Sequence, residues 1–508
     1  MTTSPSPSSH DSDSVPYSMQ VPIGISQLPA GPSGCNTLIG CFNHLSLNSS
    51  KSRFPTPPKP VASPLGTRDE QRKIYHGPKL SDRATGGPDA GPLIERFSCL
   101  FKDQYHCKSN PKGIVSLGVA ENFLLQDECL EYFKTAFAKN FLTSDLSYGD
   151  SLWGSRRINR ALSSFLNDYF HPAEPLTSDS LITGVGCSAV LDQLFYTLMD
   201  EGDSVLLIGP YYTGFDRDLI GRARVNLVPV CPPCEGFSPK SIEYFEKKMD
   251  ELAAQGHRVR AVIVCNPHNP IGRTYPRETL LAYAKFCEER DLHLVSDEIY
   301  AMSVYDSPQS DNVPFTSMLS IDPEKELGIA FDKARLHVVY GMSKDFCANG
   351  LRVGALISPH NPLLLRAMAN TSMLMKISSP ADVIWSTLLE DRPTLNKFLA
   401  TNRARLAEAA AHTRDFFESR GIEVYPSNAG NFAWVNLGPI LGIETADEEK
   451  RIFQKLLDGG VYVAPGSGYH NPVPGWYRIT FSVARENLDV GLRKMEDILG
   501  LRKITNGK

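Results

Sequence analysis

Residues 259–272 read VRAVIVCNPHNPIG, a short run rich in β-branched residues that stops at two Asn-Pro steps in succession. The run has the composition of a buried strand, and the Asn-Pro steps force an extended, turning backbone that projects Asn266 and Asn269. Downstream, Leu280, Tyr283, Ala284 and Cys287 fall at i, i+3, i+4 and i+7, one apolar face of a helix that Pro276 can open. A second strand-like run, LHLVSDE, follows at 292–298. The same signals recur in SVLLIG (204–209), RVNLVPV (224–230) and LHVVYG (336–341), with helical segments between several of them. The predicted fold class is α/β, with a mostly parallel sheet buried by helices on both faces.

The chain has 508 residues, more than one core usually holds, so two packed domains with tails are expected. A hydrophobic share of 42% and a charged share of 21% are those of an ordinary soluble protein. With a net charge of -5 and no basic stripe or helix-turn-helix pattern, nucleic acid is excluded as a partner. No stretch is apolar for long enough to span a bilayer, and the amino terminus lacks the pattern of a signal peptide, so no membrane partner and a cytoplasmic location are expected. Eleven scattered cysteines do not make a disulfide framework. Cys231 and Cys234 in CPPC have zinc-like spacing, but no second ligand pair follows, and the segment reads as a rigid Pro-Pro turn with no metal. Residues 1–85, rich in Ser, Pro, Thr and Gly, read as a disordered arm. Its first thirty residues hold no Arg and two Asp, unlike a transit peptide.

Ligands of such sheets bind in loops at the carboxyl ends of the strands. After LITG, the loop VGCSAVLDQL places Cys187 and Ser188 at a helix start, where free N–H groups and a hydroxyl suit an anion. After LHLV comes SDEIY, which carries Asp297 and, three residues on, Tyr300. An unpaired buried carboxylate is costly, so Asp297 is expected to be paired or near the surface. The stretch YGMSKDFCANGLRVG (340–354) holds Lys344 and Arg352 with no carboxylate between them to pair with both. Together these side chains suit a ligand that is acidic at one end, basic at the other, and carries a phenolic oxygen between.

Seven stretches occur in one order: LGVAENFLL (117–125), YGDSLWGSRRINRAL (148–162), GPYYTGFDRDL (209–219), NPHNPIG (266–272), HLVSDEIY (293–300), SKDFCANGLRVG (343–354) and YRITFS (477–482). In these the chain resembles the class I/II aminotransferases, pyridoxal 5'-phosphate enzymes of fold type I, and within them the branch of 1-aminocyclopropane-1-carboxylate synthase. The resemblance spans roughly residues 90–500. It implies a large domain with a mostly parallel, seven-stranded type of sheet flanked by helices, and a smaller α+β domain. The corresponding division is 86–145 for an amino-terminal segment with part of the small domain, 146–375 for the large cofactor domain and 376–508 for the carboxyl-terminal small domain.

The resemblance also implies roles. Lys344 binds the cofactor covalently and moves the Cα proton of substrate, its pKa lowered by desolvation and by Arg352. Asp297 pairs with the pyridine nitrogen, and Asn266 and Tyr300 hydrogen-bond the ring oxygen. Tyr212 stacks on the ring. Cys187, Ser188, Ser343 and Arg352 hold the phosphate, and Tyr148 reaches it from a partner subunit, giving a homodimer with shared active sites. Arg478 clamps the substrate α-carboxylate, with Glu121 and Asn266 also facing the substrate. Departures are Gly341, where the synthases usually have serine, Phe123 in AENF for their AENQ, and a longer spacing from Tyr148 to Gly154. The expected function is chemistry at the Cα–H of an α-amino acid, by transamination or by a synthase-like lyase on a sulfur-bearing amino acid. S-adenosylmethionine cyclisation and carbon-sulfur β-elimination are rivals within the class. A cofactor-binding regulatory protein without turnover is the rival outside it, opposed by intact Lys344, Asp297 and Arg478.

Overall fold

The computed structural model describes residue 81, residues 91–233 and residues 236–504, with backbone alone for 91–96. The expected arm at 1–85, save Ser81, and Cys234 of the CPPC turn lie outside the described residues. The principal elements begin with α1 (Gly91–Lys102), β1 (Val115–Ser116), α2 (Gln126–Asn140) and α3 (Arg156–Tyr169). An alternating stretch follows: β2 (Leu181–Gly184), α4 (Cys187–Leu198), β3 (Ser204–Ile208), β4 (Asn226–Val230), α5 (Ser241–Ala254), β5 (Val259–Cys265), α6 (Arg277–Glu289), β6 (His293–Asp297), β7 (Leu336–Gly341) and β8 (Gly354–Ile357). The chain closes with α7 (Pro362–Ala369), α8 (Ser379–Glu390), α9 (Arg392–Glu418), β9 (Glu423–Val424), β10 (Phe432–Asn436), α10 (Ala446–Asp458), β11 (Val461–Tyr462), β12 (Ala464–Pro465), β13 (Trp476–Thr480) and α11 (Arg485–Leu499).

The large sheet has seven strands in the order β2-β8-β7-β6-β5-β3-β4, and only β8 runs antiparallel to its neighbours. Strands β2, β3 and β8 are buried at every position, as strands covered on both faces must be. Helix α6 forms as its apolar spacing requires, and Leu280, Tyr283, Ala284 and Cys287 are all buried. Because β2, β5, β6 and β7 run in one direction, the loops after them emerge at one edge. The antiparallel β8 starts at that edge, with Gly354 directly opposite Gly341.

These two glycines form a floor for the start of α4. A Cβ at Gly354 would stand 2.5 Å from the Cys187 backbone nitrogen, and one at Gly341 would stand 2.6 Å from the Val353 carbonyl and 2.9 Å from the Cys187 thiol. A side chain at Gly354 would press on the backbone of the helix start, and one at Gly341 on the neighbouring strand segment as well as on the Cys187 thiol.

Two smaller sheets complete the fold. Strand β1 pairs in parallel with β11, and β12-β13-β10-β9 form an antiparallel sheet. Among the described residues the largest core lies on one face of the large sheet, a second beneath the smaller sheets, and a third on the other face of the large sheet. Buried side chains from Ile377 to Leu399, Trp385 among them, belong to the core under the large sheet, and those of α9 from Leu406 on belong to the second. Packing thus changes partners inside α9 and not at residue 376. Among the described residues no helix is long and apolar enough to cross a membrane, and no cluster of His, Cys, Asp and Glu could hold a metal ion.

Gly354→Ala tests the glycine floor. The crowding costs about 1–3 kcal/mol, read as a lower thermal midpoint at fixed scan rate, whereas an unchanged midpoint would show that α4 moves freely off the strands.

Candidate active site

The loops at the carboxyl edge of the large sheet, the segment Gly118–Ala120 and the region around β12 and β13 enclose one cavity of about 710 Å³. Cys187, Ser188, Tyr212, Asp297, Tyr300, Ser343, Lys344, Arg352 and Arg478 all line it. Segments far apart in sequence therefore converge as expected for these nine residues.

Lys344 follows β7, and its Nζ donates to the Ala120 carbonyl at 2.6 Å. Its sequence neighbour Asp345 is turned away and occupied, accepting from the Met302 N–H, the Ser303 hydroxyl and the Tyr340 hydroxyl. No carboxylate forms an ion pair with Lys344 among the described residues. Burial pushes its pKa down to about 8, helped first by the Arg478 charge and less by Arg352, against the opposing pull of Glu121. The expected help from Arg352 is present, but Arg478 outweighs it.

Asp297 ends β6 and is 4% exposed. Its Oδ1 accepts from the Ile299 N–H at 3.3 Å, and no cation lies at ion-pair distance among the described residues. Within the described chain it is thus buried without a charged partner. Burial pushes its pKa up to about 7, against the weaker pull of the Ile299 N–H and with a further upward push from Asp218.

Arg478, on β13, is also 4% exposed and also lacks an ion pair among the described residues. Its Nη1 donates to Asn269 Oδ1 at 3.0 Å and its Nη2 to the Gly118 carbonyl at 2.6 Å, while buried Nε has no partner. The rings of Phe432 and Tyr469 lie 4.8 and 5.0 Å from its guanidinium carbon.

At the other side, α4 opens after Gly186, whose φ of 90° lies in the left-handed region. A Cβ on Gly186 would stand 2.3 Å from Arg352 Nη2, so the glycine lets that guanidinium close on the helix amino terminus. Arg352 also has a left-handed φ of 54° and donates through Nη1 to the Asn349 carbonyl at 3.0 Å. Ser188 accepts from Arg217 Nη2 at 3.5 Å, and Ser343 is buried. Burial raises the Cys187 thiol pKa. Tyr212 meets Phe215 edge-on at 5.4 Å between centroids, as Tyr300 meets Phe432 at 5.4 Å. Burial pushes the Tyr212 phenol up to about 12.

Three expected residues fall outside the lining. Asn266 is fully buried below the cavity, where its Nδ2 donates to the Thr316 carbonyl at 2.9 Å and its Oδ1 accepts from the Tyr275 N–H. These bonds hold its amide outside the lining, and Asn269 of the second Asn-Pro step lines the cavity instead. Glu121 is half-buried beside the site, where its charge is felt by Lys344. Tyr148 is 74% exposed on the surface.

Sequence reasoning also missed Asp218, a buried lining residue whose Oδ1 accepts from Arg217 Nε at 3.0 Å and Nη2 at 2.9 Å. The motif DRDL contains it, but nothing in the spacing marks the second Asp as the inward one.

A family model described as aminotransferase class I and II matches residues 113–495. The chain is 35% identical over 397 residues to probable aminotransferase gliI of Aspergillus fumigatus, covering 76% of this chain and 89% of that protein. It is 31% identical over 433 residues to 1-aminocyclopropane-1-carboxylate synthase 3 of Solanum lycopersicum, covering 83% and 91%. Among solved structures, aspartate aminotransferase from Thermus thermophilus with maleate superposes with a TM-score of 0.66 over 83% of this chain and 100% of its own, at 22% identity, a likeness of fold alone. It bears out the fold type I expectation. The chain belongs to the class I and II aminotransferase family of pyridoxal 5'-phosphate-dependent enzymes.

Proposed function

We propose that this enzyme removes the Cα proton of an α-amino acid and transfers its amino group. The observation that carries the reading is a set of buried charges lining one cavity. Among the described residues, the buried carboxylate of Asp297 has no cation and the buried guanidinium of Arg478 no carboxylate at ion-pair distance, while a lysine of lowered pKa lies in the same enclosure. Pyridinium would answer the first and a substrate α-carboxylate the second. At about 4 Å and an effective dielectric of about 20, each such pair is worth on the order of 4 kcal/mol, enough to set a protonation state.

The residues present fit the cofactor. Asp297 would hold its ring nitrogen, Tyr300 and Asn269 its phenolic oxygen and Tyr212 its ring face. The amino terminus of α4, with Ser188, Ser343 and Arg352, would hold its phosphate, because unpaired helix N–H groups and a guanidinium converge there. When bound, pyridoxal phosphate supplies the electron sink for the pair left at Cα.

The chain does the rest. Arg478 orients the amino acid by its carboxylate, a fork-shaped contact that fixes the Cα–H direction. Lys344, whose pKa burial and two guanidinium charges lower to about 8, takes the proton at Nζ in its unprotonated form and returns it. The cavity walls keep water from competing for that proton. Likeness to a probable aminotransferase supports amino transfer. A second reading, synthase-like elimination or cyclisation, is supported by likeness to a 1-aminocyclopropane-1-carboxylate synthase and by the negative charge of Glu121 beside Lys344.

We also propose a cytoplasmic homodimer with shared sites. Leu142, Leu146, Tyr148, Leu152 and Trp153 are exposed, as are Met373 and Leu374. Lys376 links the two segments by donating to the Ser151 carbonyl. An apolar surface of this kind suits an isologous interface, which would carry Tyr148 to the phosphate of the partner's site.

Incubation with an amino acid alone should convert the bound cofactor to pyridoxamine phosphate, and borohydride beforehand should fix pyridoxal phosphate to Lys344 in peptide maps. Release of methylthioadenosine from S-adenosylmethionine, with no pyridoxamine phosphate from any amino acid, would favour the second reading. Asp297→Asn should keep the cofactor yet lose turnover by roughly 10²- to 10³-fold, the loss of one charge pair; turnover at the wild-type rate would remove Asp297 from the ring nitrogen. Lys344→Ala and Tyr148→Ala should each be impaired alone, yet at limiting cofactor their heterodimers should regain activity through one wholly wild-type site. Proven heterodimers without recovery would mean that Tyr148 does not serve the neighbouring subunit.

A further inference from the structure

We propose that Phe97 is a specificity-determining residue and that the site takes α-amino acids with bulky, neutral apolar side chains. The inference rests on the proposed function and names its substrate class. Phe97 belongs to α1, which precedes the family-matched residues 113–495, yet it lines the cavity. The matched core therefore receives a wall from chain outside it.

That wall is apolar and continuous. Phe97 and Val119 pack, partly buried, on the second core that contains Tyr462, and all three line the cavity. The wall adjoins the carboxylate anchor. The carbonyl of Gly118 accepts from Arg478, and a Cβ on Gly118 would stand 2.5 Å from the Tyr462 ring. The absent side chain at 118 is what lets an aromatic ring approach within one residue of the guanidinium. Phe97 is braced from outside by Phe101, whose ring stacks at 5.8 Å between centroids.

Charge points the same way. The cations that line the cavity are Arg217, Lys344, Arg352 and Arg478. Arg217 is committed to Asp218 at 2.9 Å, and the other three have the roles proposed above. Among the described side chains, none of the lining residues from α1, from 118–120 or from 462–469 is a cation. A side-chain carboxylate against Phe97, Val119 and Tyr462 would lose hydration without meeting a cation among the described side chains, whereas an aromatic or thioether side chain would lose only water.

The test uses holoenzyme with carboxylates that cannot react, followed by turnover. Binding of 3-phenylpropionate, succinate and propionate is read from the cofactor absorbance. Wild type should bind 3-phenylpropionate at least about tenfold more tightly than succinate. Phe97→Ala should weaken 3-phenylpropionate about tenfold or more and leave propionate within about twofold, and Phe97→Leu, which restores most of the apolar volume, should recover most of the loss. The kcat/KM for phenylalanine or methionine against alanine should move in the same ratio. Tighter binding of succinate by wild type, or equal losses for all three probes in Phe97→Ala, would overturn the proposal. Such a result with Lys344 still labelled by borohydride defeats this inference alone, whereas an unlabelled Lys344 defeats the functional reading beneath it.

Discussion

Charges of both signs share the interior of this protein without neutralising one another, and that separation is what the fold maintains. Taking a carboxylate out of water costs several kcal/mol after relaxation unless a partner is supplied. Asp297 meets that cost by a pKa raised to about 7, and Lys344 meets its own by one lowered to about 8. A flexible site would let such groups swing together and cancel. Here Asp297 is fixed at the end of β6, Lys344 follows β7, and Arg478 stands on β13 of a different sheet. Rigid strands keep the charges apart so that a ligand can complete them.

Arg478 also shows how the two cores are joined. It is rooted in the smaller antiparallel sheet, but its hydrogen bonds go to Asn269, in the loop after β5, and to Gly118. Nearby, the Tyr211 N–H donates to the Tyr469 carbonyl at 3.0 Å, and the ring of Tyr211 stacks on His470 at 4.5 Å. The cavity wall is thus assembled from both layers, and a carboxylate bound at Arg478 would reinforce the same contact.

Much of this was legible in the sequence because local composition and tertiary role agree there. The parallel strands are runs of β-branched residues, and the polar residues that interrupt them lie at the active edge, as Asp297 and Lys344 do. The failures have physical reasons. Strand β8 has four residues, begins with glycine and shows no alternation, so no local signal marked it. Asn266 and Asn269 occupy identical Asn-Pro contexts. Which one faces the cavity is decided by the Thr316 carbonyl and the Tyr275 N–H, partners that pairing in space supplies and spacing does not. Phe97 was invisible for a related reason, since it is brought to the site by packing on the second core. The Lys344 environment was half legible. Arg352, eight residues away, could be read from the motif, but the stronger influence of Arg478 required the fold.

The glycine pair beneath α4 bears on how such a sequence can change over generations. A substitution of Gly341 by serine would drive Cβ to 2.6 Å from a strand carbonyl and 2.9 Å from the Cys187 thiol. Removing the thiol clears only the second obstacle, because the first is backbone and moves only with the spacing of β7 and β8. A side chain at 341 is therefore admitted only together with a shift of β7 against β8, so the anion cup is more readily altered through the first turn of α4 than through residue 341.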